Sequence, residues 1–550
     1  MLNSEGFTKA ALQHRLMQIP VFLIALATAV PIFAVLIALI SGEPGLWSRL
    51  WATTLPTYIL NSLVLMLLTG SIAGVIGTAT AWCVSVLEFP GRRLLSWLLI
   101  LPLSAPAYIV AYVYIDLFDF YGPIQSGLRE IFRWEQSDYA FPPLRTLPGA
   151  AFILAIVLYP YVYLLARAVF GRQSNAQWQA ARSLGLGPWR VFWRVALPTA
   201  RPAIAGGVAL VLMETLADFG VADYFGLPTF STGIFRNWLA GGDKAAAMKL
   251  AAVMLLAVFA LILLETNSRK GRVDTQGKTV QQTGRVALKQ STGVMTAALC
   301  SLPVIFGFVT PVTRLAFNAV TQADAQSART FLGYAGNSLL IACLVGALAI
   351  SLAVILAHSR RSEGTPMKRA AIRFATLGYA LPGALLAVGL LAPLGGIDRA
   401  MTRWVSQNLG WEGGLLLSGT IIVLIYALVV RFLTVSFNSV SSGFEKIPLS
   451  IDAAARSLGS APPELLRRIH LPLLRPSVLA GGILVFVDVL RELPATLLLR
   501  PFNFETLATR VYWLASDERL AEASSAAILI IIFGLIPVIL LNRSLDRSST

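Results

Sequence analysis

The sequence predicts an all-α integral membrane protein with about twelve transmembrane helices in two parallel repeats of six. Hydrophobic residues make up 56% of the 550 residues and charged residues only 13%, against about 25% charged in soluble domains. The mean hydropathy is +0.71. So few polar side chains cannot cover the surface of a soluble core, so we expect the chain to lie in a lipid bilayer.

Twelve apolar runs are long enough to cross a bilayer, which takes about 20 helical residues. The first six are 19–40, 58–86, 94–115, 147–170, 203–225 and 245–264, and the second six are 293–313, 335–357, 370–392, 415–435, 477–499 and 523–541. The first run is too long for a signal peptide and no small-residue cleavage site follows it. In the second run, Gly70 and Gly74 form a GxxxG pattern typical of helix packing.

The polar segment 265–292 divides the chain into a first membrane half, 1–264, and a second, 293–550. Its basic, weakly apolar composition predicts a flexible cytoplasmic linker. It contains Gly277-Lys278-Thr279, but the earlier glycine of a phosphate-binding loop is replaced by Arg272. We therefore expect this chain to bind no nucleotide or other cofactor, and any ATP to be used by another chain.

Loop charges predict the orientation. With the N-terminus in the cytoplasm, the cytoplasmic segments hold 29 basic residues and the remaining segments hold 15. Lys and Arg near span ends favour the cytoplasmic side, so both termini are expected there. The net charge of +16 then records this orientation, and no nucleic-acid partner is expected.

The two halves repeat each other in sequence. Asn61-Ser62-Leu63 recurs as Asn337-Ser338-Leu339, and Pro106 as Pro382, at an offset of 276. In the last cytoplasmic loop of each half, Gln179-Ala-Ala-Arg-Ser-Leu-Gly185 recurs as Ala453-Ala-Ala-Arg-Ser-Leu-Gly459, at an offset of 274. Six spans per half predict a parallel pseudo-twofold repeat, as in transporters with duplicated halves.

These two loops, 171–201 and 436–475, are called the first and second repeated loops. Each begins with an alanine-rich stretch that favours a short helix ending at Gly185 or Gly459. A second short helix follows Pro188, or Pro462 or Pro463, and is expected to end at Leu197-Pro198 or Leu471-Pro472. Such a loop could anchor two spans at the membrane surface, but its recurrence at the same place in both halves favours docking of a partner.

The repeated loops resemble the EAA motif of binding-protein-dependent ABC importer permeases. The leading glutamate of that motif is replaced by Gln179 in one copy and by Ala453 in the other, where Asp452 stands one residue early. The resemblance implies a type I ABC importer permease in a bacterial inner membrane, served by a cytoplasmic ABC ATPase dimer that uses ATP and by a periplasmic solute-binding protein. It also implies ATPase-coupling residues, which are Gln179, Ala180, Ala181, Gly185, Ala453, Ala454, Ala455 and Gly459.

The stretch from Arg491 to Pro501, followed by Asn503 to Ala508, resembles the fused ferric iron (Fe3+) permeases of this class. Related fused permeases carry thiamine, and unfused relatives carry polyamines, sulfate or phosphonates. The resemblance therefore implies ferric iron as the substrate, with thiamine, a polyamine or another small solute as alternatives. An ion-gradient-driven secondary transporter is the alternative of a different class, and since no HExxH or GxSxG motif is present, an enzyme is not expected.

Charged residues within the predicted spans are candidates for a translocation path, because they are costly in lipid. The 274 offset maps Glu214 onto Asp488 and Asp218 onto Glu492, and Arg491 lies beside the second pair. A spacing of four residues places each pair on one helix face, and four carboxylates would suit a hard cation. Structural ion pairs, such as one made by Arg491, explain the same residues equally well, and the metal ligands stay undetermined.

Three tyrosines, Tyr108, Tyr112 and Tyr114, lie near the outer end of the third run. They could donate oxygen ligands, but an interfacial aromatic belt is the simpler explanation. The three histidines, His14, His358 and His470, fall in predicted cytoplasmic segments, so no histidine metal site is expected across the membrane.

Overall fold

The computed structural model describes residues 19–135, 137–171, 187–269, 286–321, 328–361, 365–410 and 416–547. Eleven helices in these ranges are long and apolar enough to cross a membrane, and a pair bent by 92°, Arg92–Ser104 with Ala107–Phe132, makes twelve. The all-α fold with about twelve transmembrane helices is therefore confirmed.

In the first sequence half the helices are α1 (Ile19–Ile40), α2 (Leu46–Thr53), α3 (Leu55–Val86), α4 (Arg92–Leu98), α5 (Ala107–Phe118), α6 (Pro123–Phe132), α7 (Leu147–Phe170), α8 (Pro188–Val191), α9 (Leu197–Ala217), α10 (Gly220–Tyr224), α11 (Phe230–Phe235) and α12 (Lys244–Arg269). In the second they are α13 (Gln290–Val304), α14 (Thr310–Thr321), α15 (Ala328–Arg361), α16 (Pro366–Ala375), α17 (Gly383–Leu409), α18 (Ile421–Glu445), α19 (Leu449–Ser457), α20 (Pro462–Leu465), α21 (Leu471–Leu490), α22 (Pro494–Leu499), α23 (Leu507–Ser516) and α24 (Leu520–Arg547).

The described residues pack into two compact units. One comprises the described parts of Met1–Pro44, Ile234–Ala252 and Ser327–Thr509, and the other the described parts of Gly45–Gly233, Val253–Gln326 and Arg510–Thr550. We call them the first and second units. The first unit thus joins α1 to helices of the second sequence half, and the second unit joins α13, α14 and α24 to helices of the first. The packing units and the sequence halves are different divisions of the chain.

The third and ninth predicted spans, 94–115 and 370–392, are broken helices, so the expectation of one continuous helix in each is wrong. Proline causes the break at the same repeat position in both. Pro106 (φ −56°, ψ 135°) precedes α5 and Pro382 (φ −58°, ψ 141°) precedes α17, each in an extended conformation. Proline has no N–H for a helical hydrogen bond and crowds the preceding residue, so a helix restarts after it more easily than it continues through it.

The fifth and eleventh predicted spans, 203–225 and 477–499, are displaced. A helical run from Phe192 reaches Ala217 and one from Pro463 reaches Leu490, and each is followed by a short separate helix. The expected helix end at each Leu-Pro pair is therefore wrong. A π-turn precedes each pair, in which Leu197 donates to the carbonyl of Phe192 and Leu471 to that of Leu466. Such a widened turn lets a helix accommodate the N–H that the following proline lacks.

The predicted flexible linker, 265–292, contains ordered elements at both of its described ends. Helix α12 continues to Arg269, and α13 begins at Gln290. Between them, Val286–Ala287 pairs as a parallel strand (β2) with Leu87–Glu88 (β1). The middle of the linker, 270–285, lies outside the described residues.

The tenth span runs from Ile421 to Glu445 and not over 415–435. Arg431, which the charge count assigned to a cytoplasmic segment, therefore lies inside a membrane helix. Its position there has a physical reason, because it forms an ion pair that is described below.

Close backbone approach holds α3 and α9 together in the second unit. A Cβ added to Gly70 would lie 2.7 Å from Cδ2 of Leu212, and one added to Gly74 would lie 3.3 Å from Cγ2 of Val208. The helix-packing role predicted for this GxxxG pattern is confirmed, since both glycines lie directly against side chains of α9 that a Cβ would push aside.

Candidate functional site

In the second repeated loop, α19 carries Ala453, Ala454 and Ala455 and ends as the sequence predicted. Gly459 has φ +83°, the left-handed conformation that glycine adopts without strain. The amide of Ser460 donates to the carbonyl of Ala455 at 3.0 Å, the long hydrogen bond of a Schellman cap. The corresponding residues of the first repeated loop, Gln179, Ala180, Ala181 and Gly185, lie outside the described residues.

One side of α19 is exposed and apolar. Ala453 and Ala454 are exposed, and the flanking Leu449 and Leu458 are 69% and 85% exposed. Small residues framed by two large apolar ones form a surface that another protein could approach closely. The coupling role of these residues stays a prediction.

Asp452, which stands one residue before the position of the motif glutamate, faces into the first unit. It is 4% exposed and accepts hydrogen bonds from Arg361 Nε at 2.7 Å and Arg361 Nη2 at 3.1 Å. Nε2 of His470 lies 3.0 Å from Oδ1 of Asp452. Burial opposes ionisation of this carboxyl, but the hydrogen bonds from Arg361 and His470 outweigh it and hold the pKa of Asp452 below its ordinary value.

Arg361 joins three elements. Besides its ion pair with α19, its guanidinium donates to the carbonyls of Phe444 (2.8 Å), Ile447 (2.8 Å) and Pro448 (3.0 Å) at the end of α18. The carbonyls of Phe444 and Pro448 also accept backbone hydrogen bonds from Ile447 (3.0 Å) and Ile451 (3.3 Å). One side chain of α15 thus fixes both the end of α18 and the start of α19. We call Asp452, Arg361 and His470 the anchor network.

A second histidine, His358, lies next to this network. His358 Nδ1 lies 3.3 Å from His470 Nδ1, and both side chains are buried, at 7% and 0% exposure. His358 lies three residues before the end of α15 and His470 directly before the start of α21, so their assignment to cytoplasmic segments stays a prediction. In the described part of the chain, no group of three or more His, Cys, Asp or Glu side chains could hold a metal ion.

The candidate path residues do not share helix faces as predicted. In the second unit, α9 ends at Ala217, and Asp218 Oδ2 accepts hydrogen bonds from the amides of Val221 and Ala222, both at 3.1 Å. Asp218 therefore caps the next short helix and is not on the face of Glu214. A carboxylate at a helix start satisfies amides that have no partner in the helix itself.

Glu492 does the same in the first unit. Helix α21 ends at Leu490, and Glu492 accepts from the amides of Ala495 and Thr496, both at 3.0 Å, and from Thr496 Oγ1 at 2.8 Å. Arg431 Nη1 donates to its Oε1 at 3.0 Å. Since Glu492 is 5% exposed and both oxygens are occupied, its structural explanation is the stronger one.

Asp488 pairs with Arg491 in the first unit, which matches the alternative that Arg491 serves a structural ion pair. Asp488 and Glu492 thus both have protein partners. Glu214 and Asp218 belong to the second unit, and Asp488 and Glu492 belong to the first. The expectation that these two pairs of acids face each other across a path therefore stays a prediction.

The tyrosines of the third span do not form an interfacial belt. Tyr108, Tyr112 and Tyr114 are 6%, 0% and 4% exposed, so the simpler explanation was wrong and all three lie inside the second unit. Tyr114 Oη donates to the carbonyl of Phe306 at 2.6 Å. Tyr112 packs edge-on against Tyr224, with ring centroids 4.4 Å apart.

The repeated Asn-Ser pair holds equivalent loops in both halves, a role that the sequence repeat indicated without explaining. The amides of Asn61 and Asn337 donate to the carbonyls of Pro228 (3.1 Å) and Glu505 (2.9 Å). The following serines accept from the first residue of the next helix, Ser62 from Phe230 (3.2 Å) and Ser338 from Leu507 (2.8 Å). Each hydrogen bond has its counterpart, so the sequence repeat is a structural repeat.

Comparison with known proteins agrees with this duplicated architecture. The family model for the binding-protein-dependent transport system inner membrane component matches twice, over residues 73–270 and 349–550. Along nearly its whole length, the chain is similar to an Fe(3+)-transport system permease protein of Haemophilus influenzae, at 25% identity over 488 residues that cover 88% of this chain and 89% of the relative.

Other relatives match only part of the chain. The sulfate transport system permease protein CysW of Synechocystis is 30% identical over 213 residues, which cover 37% of this chain and 73% of that protein. The molybdenum transport system permease protein ModB of Escherichia coli is 29% identical over 203 residues, covering 36% and 86%.

Since the two family matches span most of the chain and coincide with its repeated helices, the chain belongs to the family of binding-protein-dependent transport system inner membrane components and is an ABC importer permease with both membrane halves in one polypeptide.

Proposed function

We propose that this permease carries ferric iron across the inner membrane, receiving it from a periplasmic solute-binding protein and driven by a cytoplasmic pair of ABC ATPases. The observation that carries the proposal is the extent of the similarity to the Haemophilus Fe(3+)-transport permease, which includes both halves and 88% of the chain. The sulfate and molybdenum permeases match over 37% and 36%.

The second repeated loop supplies a way to couple the ATPase to the membrane helices. The exposed side of α19, with Ala453 and Ala454, offers the ATPase a surface without bulky side chains. The buried side of α19 is held by the ion pair between Asp452 Oδ2 and Arg361 Nε, which lie 2.7 Å apart. When the ATPases close, a helix held in this way transmits its displacement to α15 and α18, because an ion pair with several hydrogen bonds resists sliding.

The charge distribution supports the proposed orientation. Without Arg431, which lies inside a membrane helix, 28 basic residues remain in the segments assigned to the cytoplasm, and this excess supports a cytoplasmic position for the repeated loops, the linker and both termini. In this orientation the ends of α9 and α21, with the short helices α10 and α22, lie on the periplasmic side, where a solute-binding protein delivers its cargo.

Uptake of radiolabelled ferric iron, compared between cells with and without the gene, tests the substrate, with thiamine, sulfate and molybdate as parallel substrates. We expect the deletion to abolish iron uptake alone. Unchanged iron uptake in a strain without another iron system would refute the proposal, and loss of uptake of one of the other solutes would assign that solute instead.

Copurification tests the machinery separately from the substrate. We expect a tagged chain to bring down an ATPase whose activity depends on the second repeated loop. Transport that continues on an ion gradient after ATP is depleted, with no ATPase recovered, would indicate a secondary transporter.

A further inference from the structure

A group of phenol side chains lies near a carboxylate in the second unit. Tyr112 packs edge-on against Tyr224, with centroids 4.4 Å apart, and against Tyr108 at 5.7 Å. Tyr512 Oη donates a hydrogen bond to Asp223 Oδ2 at 2.8 Å. We call these four tyrosines and Asp223 the tyrosine cluster. All the other members lie within electrostatic range of the Tyr112 hydroxyl.

The hydroxyl of Tyr112 is the unusual member. The side chain is 0% exposed, and its oxygen has no hydrogen-bond partner among the described residues. Leaving a buried hydroxyl without a partner destabilises the folded state, and phenylalanine would fill nearly the same volume without that penalty. Because Asp223 also lies near this hydroxyl, the position points to a ligand that the protein itself does not supply.

The repeat shows that the scaffold does not require these polar groups. The 276 offset maps Tyr108 and Tyr112 onto Ala384 and Val388, and the 274 offset maps Asp223 onto Leu497. These counterparts are 0%, 0% and 8% exposed, so the second half builds the same buried positions from apolar side chains. Tyr108, Tyr112 and Asp223 thus break the repeat, which is typical of a specificity feature rather than of the shared fold.

Charge decides which ligand the cluster fits. Asp223 forms no ion pair with any described residue, and its polar contact is the Tyr512 hydroxyl. The guanidinium of Arg145 stacks on the outer ring, Tyr224, at 5.2 Å, and lies 3.6 Å from Glu518, which offsets its charge. A carboxylate among phenol oxygens and aromatic faces attracts cations and repels oxyanions.

We propose that the tyrosine cluster is a cation-binding site on the translocation route, with an oxygen-donor set suited to a hard metal cation such as Fe3+. Asp223 and Tyr224 are half-buried whereas Tyr112 is fully buried, so a cation enters past the first two and reaches the third. The inference rests on the proposed function in that the cation is the transported substrate, and it assigns that substrate a positive charge.

The test uses the purified full-length chain in lipid nanodiscs, titrated with ferric citrate. Binding is followed by calorimetry and by the visible charge-transfer absorption that iron(III) acquires from a phenolate ligand. We expect Tyr112→Phe to weaken binding at least tenfold and to lose part of that absorption. Its melting temperature should stay equal or rise, because the variant removes an unpartnered buried hydroxyl.

Tyr159→Phe is the matched control. Tyr159 is also 0% exposed and also carries a buried hydroxyl without a partner among the described residues, but its electrostatic neighbours are Tyr163 and Cys300 rather than a carboxylate. We expect this variant to bind ferric citrate like the wild type. Equal loss of binding in both variants would indicate a general packing effect and overturn the proposal.

Parallel titrations with thiamine, putrescine, sulfate and molybdate distinguish the sources of the ligand. Binding of an organic cation that depends on Tyr112 would support a cation site and assign it to organic cations. Binding of an oxyanion that depends on Tyr112, or no cation binding by the wild type, would overturn it. If iron uptake requires the gene but Tyr112→Phe binds normally, the site fails while the proposed function stands. If iron uptake does not require the gene but Tyr112→Phe loses ferric citrate binding, the cation site stands and ferric iron is excluded as the physiological substrate.

Discussion

Replacing Asp452 by alanine removes the acceptor of the anchor network and leaves a buried guanidinium behind. The side chains of Arg361 and Asp452 are 9% and 6% exposed, with 2.7 Å between the paired atoms. Removing one partner of such a buried pair costs about 3–5 kcal/mol. Arg361 keeps its hydrogen bonds to the carbonyls of Phe444, Ile447 and Pro448, so we expect the lower end, about 3 kcal/mol, or roughly 150-fold in the unfolding equilibrium.

The assay is unfolding of the purified chain in mixed micelles, titrated with dodecyl sulfate and followed by tryptophan fluorescence. Arg361→Met and the double variant complete a thermodynamic cycle, and because the two side chains share hydrogen bonds we expect the double variant to cost less than the sum of the two single changes. The same variants in a reconstituted transporter should hydrolyse ATP with reduced uptake, because α19 would no longer be fixed to α15.

The control is a pair in the same loop with similar geometry but open to solvent. Glu464 and Arg468 lie 2.9 Å apart, with side chains 40% and 78% exposed, and an exposed i,i+4 pair contributes only about 0.3–0.5 kcal/mol. If Glu464→Ala and Asp452→Ala destabilise the chain equally, burial does not set the strength of the anchor. If Asp452→Ala leaves both stability and coupling unchanged, the anchor network has no mechanical role.

Three further outcomes are expected. Gly459→Val forces a β-branched residue to φ +83°, and we expect it to uncouple ATP hydrolysis from uptake without preventing membrane insertion. The control Gly482→Ala, whose Cβ would have open space, should transport normally. Normal uptake by Gly459→Val would contradict the coupling assignment. Glu492→Gln weakens the ion pair with Arg431 and should lower the free energy of unfolding by about 1.5–3 kcal/mol in the same assay. Adding Arg431→Met should partly restore it. An unchanged free energy of unfolding would show that the amide hydrogen bonds alone hold α22. The folded-state pKa of Asp452 is lowered, so its stabilising contribution should be complete above the ordinary Asp pKa of about 3.9 and be lost as the pH falls through the lowered value. Melting temperatures measured between pH 3 and 7 should therefore fall less steeply in acid for Asp452→Asn than for the wild type. Parallel curves for the two proteins would contradict this.

The sequence was enough to predict the number of spans but not where they break. Length and apolarity measure the cost of placing a segment in lipid, and that cost hardly changes when a helix bends or is interrupted, as before Pro106 and Pro382. Prolines alone do not locate the breaks either, since Pro198 and Pro472 lie within helices that a π-turn adapts to them. Which outcome follows depends on whether neighbouring backbone groups can find other partners, and that is a property of the packed structure.

Predictions about individual side chains were correct where they depended on local backbone preferences and failed where they depended on packing. The left-handed conformation of Gly459 followed from local backbone preferences and is correct. The shared helix face of Glu214 and Asp218 assumed a continuous helix, and it failed because Asp218 instead caps α10. The anchor network joins residues 91 and 18 positions apart in the chain, so no local spacing could have indicated it.

Comparing the two repeated halves distinguishes the residues of the shared transport machinery from the residues that set substrate specificity. Features that every importer of this architecture needs should occur in both halves, and the capping acids Asp218 and Glu492 and the serines Ser62 and Ser338 do so with matching hydrogen bonds. Capping and loop anchoring do not depend on what is transported, so these acids are poor candidates for substrate selection even though they are the most conspicuous charges in the spans. A feature that distinguishes one substrate from another is free to break the repeat. In the described residues the tyrosine cluster does so, because Tyr112 corresponds to Val388 in the other half, and we therefore expect the choice of substrate to depend on this asymmetric site rather than on the paired carboxylates.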